Sequence, residues 1–338
     1  FCRPILTLMR TPENIFEYSY QYIVIIFIGI PATYLFNLTS GMIRALGNSR
    51  APLIVLIVSS VLNVVLDLVF ILNFHMGVTG AAAATVLSQV ISGIACVIYI
   101  RKKVDMLQLS RDEWKMEKRE MLELFNAGVP MGLQYSITAI GSVILQSAVN
   151  TLGSNAVASV TAASKISMFI VCPFDSMGAT MATYGGQNAG GYKLDRLHKG
   201  LRSCILLGAV YSVIGLLIIV AFGPHLLKLF VSGSETQILA DAQHFLLING
   251  LFYFPLALVN IVRFMIQGMG FGFFAIIAGV LEMAARTLVG AVFVPIFGYN
   301  AACFASPLAW IFADCFLIPA YFVVWNRMKR HQEAYKQV

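Results

Sequence analysis

Residues 44–89 read RALGNSRAPLIVLIVSSVLNVVLDLVFILNFHMGVTGAAAATVLSQ, and within this largely apolar run Asn63 and Asp67 stand four positions apart. On a helix that spacing puts both side chains on one face. The run around them is long enough to cross a bilayer, where an ionisable side chain is costly and marks a functional site by default. The fold must account for a carboxylate at membrane depth.

Composition points the same way. Of the 338 residues 59% are hydrophobic and 12% charged, with a mean hydropathy of +0.80. That is more apolar surface than a soluble core of this size buries. The net charge of +7 does not indicate a nucleic-acid partner, because the basic residues sit in short loops between apolar segments. The six cysteines, at 2, 96, 172, 204, 303 and 315, lack CxxC spacing and mostly lie in or beside apolar segments, so they read as small hydrophobes.

Nine apolar segments of spanning length are predicted, near Ile15–Met42, Pro52–Leu72, Gly80–Ile100, Leu122–Leu152, Ala156–Tyr184, Leu201–Phe222, Ile238–Ile266, Phe273–Phe293 and Ala301–Trp325. Interior prolines at 31, 130, 173, 255 and 319 mark candidate kinks. Arg44 and Arg50, the cluster from Arg101 to Arg119, the group Lys193, Arg196, Lys199 and Arg202, and the tail from Arg327 to Lys336 fall on one face, against Arg3, Arg10 and Lys228 on the other. That face is expected to be cytoplasmic, with the C-terminus on it and the protein in the plasma membrane. Lys165, Arg263 and Arg286 lie within or at the ends of spans, Lys165 and Arg286 most clearly inside.

The chain also repeats itself. FCRPILTLMRTPEN at Phe1 resembles FGPHLLKLFVSGSE at Phe222, and Gly29, Asn37, Gly47 and Gly77 match Gly250, Asn260, Gly270 and Gly298 at offsets of 221 or 223 residues. The later copy begins near Met121, about 100 residues before Phe222. About three helices are therefore expected ahead of Phe1. The predicted fold is an all-α polytopic membrane protein of two pseudo-symmetric six-helix lobes in parallel repeat, the first lacking those helices. Residues 1–100 form the partial N-terminal lobe, 101–120 a cytoplasmic inter-lobe loop, 121–326 the C-terminal lobe and 327–338 a cytoplasmic tail.

Counting from Pro52, Asp67 lies about 22 Å along its helix, and Thr85 on the following span can come level with it. Small residues Ala81 to Ala84 permit close helix approach. A carboxylate, an amide and a hydroxyl suit either a proton or an oxygen-seeking hard cation such as Na+. Packing alone could also explain the trio. Glu282 and Arg286, also four apart, neutralise each other and can serve structure, or face the substrate cavity as two of its lining residues. Gln134, Tyr135, Thr138, Gln146 and Asn150, with Lys165, Met168, Met181 and Tyr253, suggest an adaptable central cavity. Scattered histidines and the absence of GxSxG, HExxH or P-loop patterns argue against an enzyme.

Taken together, GMIRALGNSRAP leading into VLNVVLD, GVTGAAAAT at Gly77, GVPMGLQ at Gly128, GGQNAGG at Gly185, and IQGMG followed by LEMAAR resemble the multidrug and toxic compound extrusion (MATE) transporters, closest to the DinF-like branch. The resemblance implies twelve helices in two lobes and efflux of drug-like or cationic organic compounds in exchange for H+ or Na+. It implies no cofactor beyond the coupling ion, and a monomer whose partners are the bilayer and small organic substrates. It places the amino-lobe cation site at Asn63, Asp67 and Thr85, with Tyr22 on the preceding helix. The place of a Glu that another branch carries on its seventh helix reads near Thr138. A flippase for a lipid-linked saccharide or peptidoglycan precursor, from the same superfamily, is the alternative; it calls for a more cationic cavity.

Overall fold

The computed structural model describes residues 2–8, 13–108, 115, 117–233 and 235–335. Phe1, Arg10, Arg111 and Lys336, used above for the repeat and the orientation, lie outside them. The described residues are helical throughout, with short turns and no strand. Seven helices are long and apolar enough to cross a membrane, and nine spans result when each of two bent pairs counts as one. Each of the nine predicted segments lies on one of these spans, and the helices run up to seven residues longer, as at Leu194 against the predicted Leu201. Where the helices run longer, polar ends continue the hydrogen-bond ladder past the apolar stretch, as from Leu194 to Gly200.

The chain divides into two compact units, Phe1–Lys115 and Met116–Val338. The first holds α1 (Cys2–Leu8), α2 (Glu13–Ile28), α3 (Ile30–Ala45), α4 (Arg50–Leu68) and α5 (Gly77–Lys103). Helices α2 and α3 meet at a 44° bend, where Pro31 enters the first turn of α3 and its missing N–H is no loss. A β-carbon on Gly29 would lie 2.4 Å from Val86 of α5, so the bend packs tightly on that helix. The span built on α4 has a mean hydropathy of 2.7, yet 6% of it is buried within the protein. Such a surface is stable only with hydrocarbon as its solvent.

The second unit holds α6 (Lys118–Asn150), α7 (Ser154–Gly190), α8 (Leu194–Leu227), α9 (Thr236–Leu251), α10 (Tyr253–Gly268), α11 (Phe273–Leu288), α12 (Val294–Phe297) and α13 (Tyr299–Tyr335). Its core gathers α7, α8 and α10: Phe174 meets the edges of Tyr211 and Tyr253 at 5.1 and 5.9 Å. Met181 and Tyr253, 3% and 1% exposed, belong to this core. Their expected place in a cavity lining is corrected accordingly, since buried apolar groups gain more from packing than from facing an opening. The GGQNAGG and IQGMG segments lie against each other: β-carbons on Gly185 and Gly186 would sit 3.1 Å from the Met265 carbonyl and 3.2 Å from that of Gly268.

The two units share local geometry. The 44° bend of the first has a counterpart of 51° between α9 and α10. A π-helical turn follows α4 at Val69–Asn73 and α11 at Val289–Phe293. Positive φ angles occur at Gly47 and Gly270 (86° and 91°), and again at Gly77 and Gly298 (55° and 61°), the glycine pairs that the sequence repeat aligns. Glycine adopts this left-handed conformation without steric cost.

Candidate functional site

In the first unit, Ser59, Asn63 and Asp67 succeed one another at one-turn intervals along α4. Ser59 is buried and donates to the Ser88 carbonyl of α5 at 3.2 Å, which sets the level of the two helices. The Asn63 Nδ2 and Asp67 Oδ1 atoms are buried and have no hydrogen-bond partner. On α5, the Thr85 hydroxyl donates to Ala81 of its own helix at 3.0 Å, so its lone pairs remain for an acceptor role. One turn further, Gln89 Oε1 is another buried atom without a partner.

Such orphaned polar atoms are uncommon in folded proteins because each costs about 1–3 kcal/mol when buried unpaired. Amide nitrogen and oxygen exchange places by a rotation of the side chain. Asn63 and Asp67, one turn apart on α4, can thus both offer oxygens, which fits a hard cation, while the Asp67 carboxylate by itself fits a proton; Gln89, next to the Ser88 that Ser59 meets, stands about two turns from the level of Asp67. Gln89 is absent from the sequence reading, although its position four residues after Thr85 on the same face was the available signal. Tyr22 is 38% exposed on α2 and lines a groove of 390 Å³ with Ile15, Tyr18, Ser19, Ile23 and Val78.

The second unit contains a different constellation. Glu282 accepts from Arg263 through one carboxylate oxygen and from Arg286, at 3.4 Å, through the other. All three side chains are at most 8% exposed. Arg286 also donates to the Thr138 carbonyl of α6 at 3.4 Å, and Gln267 of α10 donates to Gln134 of α6 at 2.9 Å. Asp314 on α13 is buried, and its Oδ1 has no partner. Arg263 is as deeply embedded as Arg286, so the count of clearly intramembrane bases rises from two to three.

Of the expected cavity residues, the structure thus joins Thr138, Glu282 and Arg286 in one network and bonds Gln134 to Gln267 separately. Gln146 and Asn150 bond each other at 3.0 Å on an exposed stretch of α6. Tyr135 and Met168 are 53% and 76% exposed, and the Lys165 ammonium lies 5.5 Å from the Phe230 ring centroid. These residues stand apart from the network. Arg263, Gln267 and Asp314 are neighbours of these groups that the sequence reading missed. For Asp314 the rule that singles out Asp67, an acid inside an apolar span, was sufficient.

Comparison with known proteins bears on these arrangements. The MatE family model matches residues 1–69 and 130–296. The chain is 31% identical over 247 residues to the probable multidrug resistance protein YoeA of Bacillus subtilis, covering 71% of this chain and 53% of that protein. It is 24% identical over 281 residues to the multidrug export protein MepA of Staphylococcus aureus, covering 81% and 61%. The chain therefore spans little more than half the length of these relatives. A crystal structure of a MATE in complex with MaL6 shares its fold with a TM-score of 0.90, at 21% identity and with 97% of this chain and 74% of that one covered. An outward-facing multidrug resistance MATE transporter of the MOP superfamily gives 0.88 at 22% identity, covering 96% and 72%. With the family model matched over most of its length, the chain belongs to the MatE family of multi-span membrane transporters, which are not enzymes.

Proposed function

We propose that this chain forms part of a secondary active exporter that expels drug-like or cationic organic compounds in antiport with H+ or Na+. The observation that carries this reading is the pair of buried, unpartnered polar atoms at Asn63 and Asp67, one turn apart on α4. Multidrug resistance and export activity is named for the relatives YoeA and MepA, and that supports the substrate class.

In this reading Asp67 binds the coupling ion, with Asn63 and Thr85 supplying further oxygens and Tyr22 closing one side. The protein works as a monomer in the plasma membrane with its C-terminus in the cytoplasm, and alternates between outward-open and inward-open forms. The ion drives the cycle only if it binds one form more tightly; equal affinity for both shifts nothing. The flippase alternative gains no support from the second unit, because Arg263 and Arg286 are both buried and bonded to Glu282 rather than presented on an open surface.

The test uses the protein at its natural length in vesicles, with efflux of a cationic dye followed while a pH gradient and a Na+ gradient are imposed separately. One of the two gradients is expected to drive efflux. Dye movement that ignores both would remove the antiport reading.

A further inference from the structure

The second unit carries a buried charge cluster that the proposed cation site does not use. Arg263, Glu282 and Arg286 hold two positive charges against one negative. Asp314 supplies the missing charge: Arg263 acts on it electrostatically, and Asp314, Arg286 and Tyr135 are the groups that act on Arg263. Yet the four groups are not fully bonded together. Arg263 Nε, a donor, and Asp314 Oδ1, an acceptor, are both buried without a partner. Asp314 lies on the long span Tyr299–Arg330, about 22 Å from its first residue and so near mid-membrane.

An open donor on Arg263 and an open acceptor on Asp314, both buried and electrostatically coupled, describe a cluster that can exist in two states. With Asp314 ionised the cluster is neutral, and Arg263 can divide its guanidinium between Glu282 and Asp314. With a proton on Asp314 the cluster carries one positive charge and Arg263 belongs to Glu282, as the geometry has it. Burial disfavours charge that lacks a counter-ion, and attraction to Arg263 favours the ionised acid.

The surroundings support exchange with water. Tyr135 of α6, half exposed, interacts electrostatically with Arg263 on one side and with the exposed Asp175 of α7 on the other. Through Tyr135 the cluster is electrostatically coupled to groups at the surface of the unit. The other titratable groups packed on α13 lie away from Asp314. Asp241 and His244 of α9 meet Tyr299 and Asn300 at one end, and His198 of α8 meets Tyr321 two turns toward the other.

We propose that Asp314 is a proton-binding site of the second unit, taking up one proton from water at a carboxylate oxygen and returning it when Arg263 swings toward the freed carboxylate. The proposal goes beyond the Asp67 reading and does not depend on it.

The test is infrared difference spectroscopy of the purified protein at its natural length, between about pH 5 and pH 9, a window that brackets carboxyl and imidazole titration. The wild type is expected to show a protonated-carboxyl C=O band that disappears as pH rises. Asp314→Asn should lose one carboxyl's share of that band, and Asp175→Asn should keep it. Asp314→Glu should retain the band at a shifted frequency, which covers the case in which the asparagine variant fails to fold. Spectra of folded Asp314→Asn or Asp314→Glu superimposable on wild type would overturn the proposal. A failure of ion-driven efflux would leave these spectra unchanged, so the two readings fail separately.

Discussion

Glu282 accepts hydrogen bonds from two arginines that come from different helices, and this sets an order of sensitivities. Replacing the acid leaves Arg263 and Arg286 facing each other in a buried site, whereas replacing Arg286 leaves an intact Arg263–Glu282 pair. Removing one partner of a buried pair costs about 3–5 kcal/mol when the other is left uncompensated. Glu282→Gln is therefore expected to lower the unfolding temperature in detergent well below that of Arg286→Met, as followed by circular dichroism. Equal shifts for the two variants would show that the acid is not shared. At this scale the sequence was partly legible. The pairs Asn63 with Asp67 and Glu282 with Arg286 could be read because each lies within one helix at one-turn spacing. Arg263 could not be placed with Glu282, since the two are nineteen residues apart and meet only through the packing of α10 on α11.

Helix ends and bends carry the next level of information. At the end of α10, Gly268 packs so closely that an added β-carbon would lie 2.2 Å from the carbonyl oxygen of Ala182 and 2.8 Å from its carbonyl carbon. Glycine to alanine within a helix ordinarily stabilises it by up to about 1 kcal/mol. Here backbone atoms of α7 must move instead, and overpacking of this kind costs about 1–3 kcal/mol. Gly268→Ala is thus expected to destabilise the folded protein, in contrast to Gly128→Ala, where the β-carbon would meet open space. Thermal melts of the two variants check the difference in sign. The nine spans were readable from apolar length alone. The prolines were less so: Pro31 and Pro255 lie beside real bends, whereas Pro130, Pro173 and Pro319 stay inside continuous helices. A proline removes one hydrogen bond wherever it stands, and neighbouring helices decide whether the axis turns.

For the molecule as a whole, two units built on one local plan carry unlike chemistry. In the first, one acid stands among uncharged oxygen donors; in the second, arginines outnumber the acid that binds them. The repeat was legible because its glycines sit where the backbone needs a positive φ, a requirement that outlasts divergence of the side chains around them. What each unit does with its charges was less legible, because burial and partnering depend on neighbours drawn from several helices. The central claim is that Asp67 binds the ion that drives export, and it is tested most directly by Asp67→Asn in the natural-length protein, in vesicles loaded with a cationic dye. Membrane insertion and unfolding temperature should match wild type while ion-driven efflux falls to the level seen without a gradient. Efflux by Asp67→Asn at the wild-type rate under the same gradient would contradict the account.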